Sequence, residues 1–419
     1  MEAASLIIGN GNWGTKPSEL LGYYVENGNQ YRPLIGDVSR SSTKMVTNKD
    51  GLLEKVNPNI ASIDYSDDVK GSLLLEPQST NLITYSEDFN SGVWKRQSGT
   101  ISDGGVGLFY LRPLSSVIKY ESTSTGYNQL YSQISTSTVI GNDYTEFFYI
   151  KTTGVPFIHV QVQALGNDSV LVIDVDNSSI FSTTGITNVS VDFLNDDWIK
   201  IKYSYEALLV KSLFTKCYLS STSSFYGDGV PIGSEAYITT VQLEALPYAT
   251  SYIPTSGSAV TRVQDYFHNF GDVNTFNSEE GVLSIEMAAL GEGFNRYISL
   301  SDGTNTNRLI LRYTSSNASI STYVVVGGNV ITYISSTVSD ITKSSKVAFS
   351  YKENNYSLYI NGVKVAEQLS GITFPPNTLN KLSFANSNGS YFSFFGKVKE
   401  LQVYKESLTD SELITLTTI

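Results

Sequence analysis

The stretch "GSLLLEPQSTNLITYSEDF", Gly71–Phe89, decides how this chain is read. Three leucines, Leu73–Leu75, run into Glu76-Pro77 and then into an Asn/Ser/Thr-rich turn. The acidic-aromatic cluster Tyr85-Ser86-Glu87-Asp88-Phe89 follows at once. Pro77 has no N–H to give a sheet ladder, and it biases Glu76 towards extended backbone. The stretch can be an active-site loop, a ligand loop or a structural joint.

The surrounding chain narrows the choice. At 419 residues it is too long for one ordinary core. Apolar residues make up 41% of it and charged residues only 16%, with 28 tyrosines, so strands are favoured over helices. A net charge of −12 repels phosphate backbones, so nucleic acid is not an expected partner. One cysteine, Cys217, excludes an intrachain disulfide and reads as a small buried hydrophobe. The first residues lack the basic region and apolar run of a secretory signal, and no stretch is apolar for the ~18 residues that suggest a membrane helix.

Strand signals recur along the chain. Tyr144–Thr152, Phe157–Leu165, Ser169–Asn177 and Ala236–Leu246 are rich in β-branched and aromatic residues. Asp197–Ala207 alternates Trp198, Lys200 and Lys202 with Ile199, Ile201 and Tyr203, the period of a strand with one wet face. A Pro/Gly/Ser-containing connector covers Tyr252–Glu280, and strands resume at Gly281–Leu290. Hairpin turns are expected at Gly327-Gly328-Asn329, Asn354-Asn355 and Asn361-Gly362. One helix is expected at the chain's end, where Thr409 and Glu412 form a capping box ahead of Leu413 and Leu416; it is expected at a sheet edge or rim.

Catalytic chemistry finds little support. His159 lies in a strand, as a packed or edge residue, and His268 in the connector; neither has metal or triad spacing. The carboxylate pairs Asp67-Asp68, Asp174/Asp176, Asp196-Asp197 and Glu279-Glu280 are neighbours in sequence. A glycosidase needs two carboxylates facing each other across a cleft. Asp174, Asp176 and Asn177 offer oxygen ligands but lack a full Ca²⁺-loop pattern. Trp13, Trp94 and Trp198 are the candidates for stacking on sugars, with Trp198 read first as core.

Two signatures then carry a resemblance. Val38–Val56 followed by Gly71–Arg96 resembles a pattern of tailed-bacteriophage virion fibre and spike proteins. It is carried by Arg40, Ser41, Ser42, Gly51, Leu52, Glu76, Pro77, Gln78, Thr80, Asn81, Leu82, Tyr85, Ser86, Glu87 and Phe89. "VQLEALPYATSYIPTSGSAVTR", Val241–Arg262, resembles the signature that closes the next domain of those proteins. The domain between the two is similar to a carbohydrate-binding-module jelly roll. The C-terminal part is similar to a laminin-G/concanavalin-like lectin, through "FNSEEGVLSIEM", "YSLYINGVKV" and "FFGKVKELQVYKESLTDSEL".

The resemblance implies an all-β chain in three parts. Residues 1–70 would be an attachment and oligomerisation segment, 71–262 a jelly roll and 263–419 a lectin sandwich. The opening stretch becomes a joint, with Leu73–Leu75 a buried strand and Tyr85–Phe89 the entry to the jelly roll; a catalytic role for Glu76, Glu87 or Asp88 is the minor alternative. The connector from Tyr252 to Arg262 is expected to pack along the jelly roll, with Arg262 anchored on a carboxylate such as Glu244. The implied function is a fibre or spike on the virion surface, with other virion proteins and host or environmental glycans as partners, assembled as a homotrimer. No catalytic residue, metal, cofactor or membrane insertion is expected, and no particular glycan-binding residue stands out. The alternatives are a polysaccharide-degrading spike and a purely structural decoration protein.

Overall fold

In the computed structural model the described residues are 3–26, 30–87, 92–105, 117–132, 136–166, 169–212, 216–224, 229–387, 389 and 391–419. Strands dominate, all the named ladders are antiparallel, and the α-helix is Asp410–Thr417. Asp88 and Phe89 lie outside the described residues.

The chain forms two compact units, but not the three consecutive parts expected. One unit is Met1–Gln78 with Val263–Ile419, and the other is Ser79–Arg262. The jelly roll is thus an insertion in sequence, and residues 1–70 are no separate segment. Leu6–Gly9 pairs with Gly396–Tyr404 on one side, with Leu6 opposite Val403, and with Glu19–Glu26 on the other. The N-terminus is therefore rich in strands, and its apolar residues Leu6, Ile8 and Leu20 are fully buried in the terminal unit's core.

Two sheets enclose that core. The larger runs Tyr266–His268, Gln30–Ser39, Glu19–Glu26, Leu6–Gly9, Gly396–Tyr404, Glu280–Ala289, Ser345–Lys352, Asn355–Ile360, Val363–Gln368. The smaller has five strands, in the order Asn329–Thr337, Ser319–Val326, Arg308–Tyr313, Arg296–Ser301, Lys381–Ser383. Asn361 and Gly362 take φ of 50° and 79°, the left-handed pair that a tight two-residue hairpin demands. The helix is capped as expected, with Thr409 and Glu412 bonding reciprocally. It lies over a sheet face, however, and not at an edge: Leu413 packs with Ala348, Tyr359 and Tyr404.

The inserted unit is a sandwich of two six-stranded sheets. One has the order Trp94–Gln97, Asn128–Ser132, Lys216–Ser220, Phe157–Gln161, Ser169–Asp174, Ser179–Thr183. The other has the order Gly99–Asp103, Ile118–Ser122, Glu235–Glu244, Asp143–Thr153, Trp198–Glu206, Thr187–Phe193. Phe148, Ile150, Ile158, Ile201, Cys217 and Leu219 meet between them. Cys217 is fully buried, as expected. Trp198 is also fully buried, yet it stands outside the core cluster, on the Lys200 side of its strand.

The opening stretch contributes to two polar clusters, one in each unit. Leu73–Leu75 lie in the buried strand Ser72–Leu75, which pairs with Gly396–Tyr404 and ends before Glu76. This strand belongs to the terminal unit, so the expected boundary moves from residue 70 to Gln78. In the terminal unit Asp265 accepts from Arg40 Nη1 at 2.9 Å, Lys44 Nζ at 2.8 Å and Glu76 N at 2.9 Å. Lys44 also reaches Glu76 Oε2 at 3.0 Å, and all four side chains are buried. In the inserted unit Asn81 Nδ2 donates to Val241 O at 3.1 Å and Ile253 O at 2.9 Å. Its Oδ1 accepts from Ile83 N at 3.1 Å and Leu243 N at 3.2 Å. Ser86 Oγ accepts from the Tyr252 hydroxyl and Thr255 N, each at 2.8 Å.

The connector therefore packs along the jelly roll, with Tyr252 and Ile253 buried and Val260–Arg262 laddered to Ser79–Asn81. Glu244 accepts from Ser79 Oγ and from both the amide and hydroxyl of Thr250.

Candidate functional site

Strand parity builds a polar face on the inserted unit. On Asn128–Ser132, Leu130 points to the core, so Gln129 and Tyr131 point away from it. Across the ladders Tyr131 stands opposite Lys95 and Lys216, and Gln129 opposite Gln97 and Tyr218. Tyr218 in turn stands opposite His159. Two rows of polar and aromatic side chains thus cross the outer face of one six-stranded sheet.

A cavity of about 560 Å³ opens on this face, lined by Gln129, Tyr131, Ser137, Gln163, Lys211 and Lys216 among others. That is the volume of a small-ligand site. One wall comes from two loops tied together: Thr138 N donates to Lys211 O at 2.8 Å, and Lys211 N to Thr138 Oγ1 at 2.9 Å. Gln163 comes from the short 3-10 turn Gln163–Leu165.

The side chains are preset. The Tyr218 hydroxyl donates to Gln161 Oε1 at 3.2 Å, and Gln129 Nε2 donates to Gln97 Oε1. Gln129 is 9% exposed, and its Oε1 is buried without a hydrogen-bond partner. Lys216 Nζ lies 4.9 Å from the Tyr218 ring centroid and 6.0 Å from that of Tyr131. Burial lowers the Lys216 ammonium from its ordinary pKa. Burial also lowers His159, outweighing its 3.0 Å contact with the Thr222 carbonyl, so the ring is neutral at pH 7.

Such a surface suits a hydroxyl-rich ligand. Aromatic rings offer flat apolar area, while amides both donate and accept. Among the described residues the lining holds two ammonium groups, Lys211 and Lys216, and no carboxylate or imidazole.

The residues named from sequence are placed elsewhere. Trp94 is buried, its Nε1 donating to Tyr85 O at 3.0 Å, and Trp13 is half-buried with Nε1 on Lys70 O at 2.8 Å. Asp67 and Asp68 pair with Lys397 and Lys399, Asp197 with Lys151, and Glu280 with Lys352. Asp174 caps a turn through Asn177 N. Glu76 is held in its ionic cluster. Among the described residues no three His, Cys, Asp or Glu converge as metal ligands, and no helix is long and apolar enough to cross a membrane. Sequence reading missed Gln129 and Tyr131 on one strand and Lys216 on its neighbour, which carry no local motif.

The terminal unit has the two facing sheets of a lectin-like sandwich. Residues 285–414 match the concanavalin A-like lectin/glucanases superfamily. No curated protein matches the chain. Solved structures with similarity include mouse laminin α1 chain domains LG4-5, at 13% identity and a TM-score of 0.25, covering 70% of this chain and 92% of that one. Domain 4 of AbnA, an extracellular arabinanase from Geobacillus stearothermophilus solved with arabinotriose, has 16% identity and a TM-score of 0.30, covering 41% of this chain and 82% of that one. A heptameric SAP-like pentraxin from Limulus polyphemus has 14% identity and a TM-score of 0.30, covering 36% and 74%. Likenesses this distant carry nothing about a ligand.

Proposed function

We propose that this chain is a non-catalytic fibre or spike protein of a tailed-bacteriophage virion that binds glycans through its β-sandwiches. The phage reading rests on the resemblance at Val38–Val56, Gly71–Arg96 and Val241–Arg262. The saccharide reading rests on the concanavalin-like match and, above all, on the cavity that Gln129, Tyr131 and Lys216 line on the jelly-roll sheet. A sugar would stack on Tyr131 and exchange hydrogen bonds with Gln129 and Gln163. The chain acts at the virion surface as a homotrimer.

A glycan array probed with the full-length chain and with the Tyr131→Ala/Gln129→Ala variant tests the binding. Signal on a subset of glycans that the variant loses is the expected result. An array with no signal, or one unchanged in the variant, overturns it. Release of reducing ends from a bound glycan would favour the degrading spike instead. Light scattering on the purified chain is expected to give three times the monomer mass.

A further inference from the structure

The concanavalin-like unit carries a second cluster that the jelly-roll cavity does not involve. On the five-stranded sheet, Leu309, Leu311 and Tyr313 point to the core, so Arg308 and Arg312 share the outer face. Tyr323 stands on that face opposite Tyr333, and Tyr297 opposite Arg312. The Arg312 guanidinium lies 5.3 Å from the Tyr297 centroid, 5.3 Å from that of Tyr323 and 5.9 Å from that of Tyr333. The Arg308 guanidinium is 5.5 Å from the same Tyr323 ring. One aromatic ring thus serves two cations.

Among the described residues both arginines are held in place by neutral partners. Arg312 Nε donates to Ser321 Oγ at 2.8 Å and Nη1 to the Tyr297 hydroxyl at 2.7 Å. Arg308 Nη1 donates to Asn305 Oδ1 at 2.6 Å and Asn386 Oδ1 at 2.7 Å, while its buried Nε has no partner. All these acceptors are neutral. Among the described residues neither arginine has a carboxylate within ion-pair distance, in a chain of net charge −12. Asp, Glu and Lys elsewhere on the unit are widely paired, as Lys364 is with Glu367 and Asp410. Tyr333 is 54% exposed at the open side, and Phe392, 48% exposed, stacks on Tyr297 at 4.7 Å. The cluster therefore combines preset guanidinium donors with accessible rings.

We propose that this face binds an acidic saccharide of the uronate or sialate class, its carboxylate meeting Arg312 and Arg308 and its ring lying against Tyr333. A guanidinium has five N–H donors in a fork that fits a carboxylate, and the bonds to Ser321 and Tyr297 leave donors over. The tyrosine cage fixes the side chain before the ligand arrives, which lowers the ordering cost.

Calorimetric titration of the full-length chain tests this with three probes: oligogalacturonate, a hyaluronan tetrasaccharide and N-acetylneuraminic acid. At least one is expected to bind, its methyl ester to bind at least about tenfold more weakly, and Arg312→Gln to weaken the acid by about ten- to hundredfold, the range of a lost charge-assisted bond. Tyr333→Ala, at an exposed position, is expected to weaken binding several-fold with an unchanged melting temperature. The jelly-roll variant Tyr131→Ala/Gln129→Ala is expected to bind the acid as the parent does, so this site and the jelly-roll cavity stand or fall separately. No binding of any probe, equal binding of the ester, or full affinity in a folded Arg312→Gln chain overturns the proposal. Equal affinity for a sulfated oligosaccharide also overturns it, since the face would then select charge alone.

Discussion

Both units tie distant segments of the chain together through buried polar groups, but they use different chemistry. In the terminal unit four charged side chains, Arg40, Lys44, Glu76 and Asp265, are 0–1% exposed and meet at 2.8–3.0 Å. In the inserted unit the same task falls to Asn81, Ser86, Thr255 and Tyr252, which are uncharged. Glu76 and Asn81 stand five positions apart in the opening stretch. The contrast separates two kinds of cost. Removing one member of a buried ionic cluster strands a charge, at about 3–5 kcal/mol. Removing one member of a neutral network strands dipoles, at about 1–3 kcal/mol per buried group.

The largest effect expected tests the division into units themselves. Removing residues 1–70 takes Leu6–Gly9 and Glu19–Glu26 out of the larger sheet and strips Arg40 and Lys44 from the ionic cluster. The truncated chain should lose the concanavalin-like unit's folding transition, seen by calorimetry, and aggregate through its opened sheet. Ser79–Arg262 expressed alone should unfold cooperatively, because it has its own core. A truncated chain that keeps both transitions would restore the three-part division.

Asp265→Asn comes next. It leaves Arg40 and Lys44 buried with too little negative charge, and should cost the concanavalin-like unit about 3–5 kcal/mol in denaturant unfolding. A loss below about 1 kcal/mol, the scale of an exposed pair, would mean that the charges are solvated. Asn81→Ala should be milder and should act on the jelly roll: its midpoint should fall by the equivalent of about 1–3 kcal/mol. If Asn81→Ala proves the costlier of the two, the charged-versus-neutral ranking is wrong.

The smallest effect is a pH dependence. Burial raises the Glu244 carboxyl above its ordinary 4.5, against the opposing hydrogen bonds from Ser79 and Thr250. A raised folded pKa means that the native state holds this proton more tightly than the unfolded chain. Its contribution is fully present below pH 4.5 and is lost as pH rises through the raised value. The difference in jelly-roll stability between the parent and Glu244→Gln should therefore shift in favour of the variant as pH rises above 4.5. A difference that is flat with pH would show that Glu244 titrates alike in both states.

Much of the architecture was legible in local sequence. Period-two alternation marked Trp198–Glu206, Asn361-Gly362 marked a hairpin, and the Thr409–Glu412 box marked the helix, because each depends on backbone rules acting over a few residues. Pro77 and the run before it marked the end of a strand for the same reason. What the sequence determined by itself, then, was strand, turn and cap. Only the tertiary structure decided that Leu6 pairs with Val403, that Arg40 meets Asp265, and that Tyr131, Lys216 and Gln163 line one cavity. Strand pairing uses backbone groups that every residue but proline carries, so it leaves little local mark on the partners. Which side chains share a face depends on register, and a slip of one residue turns each of them over to the opposite side.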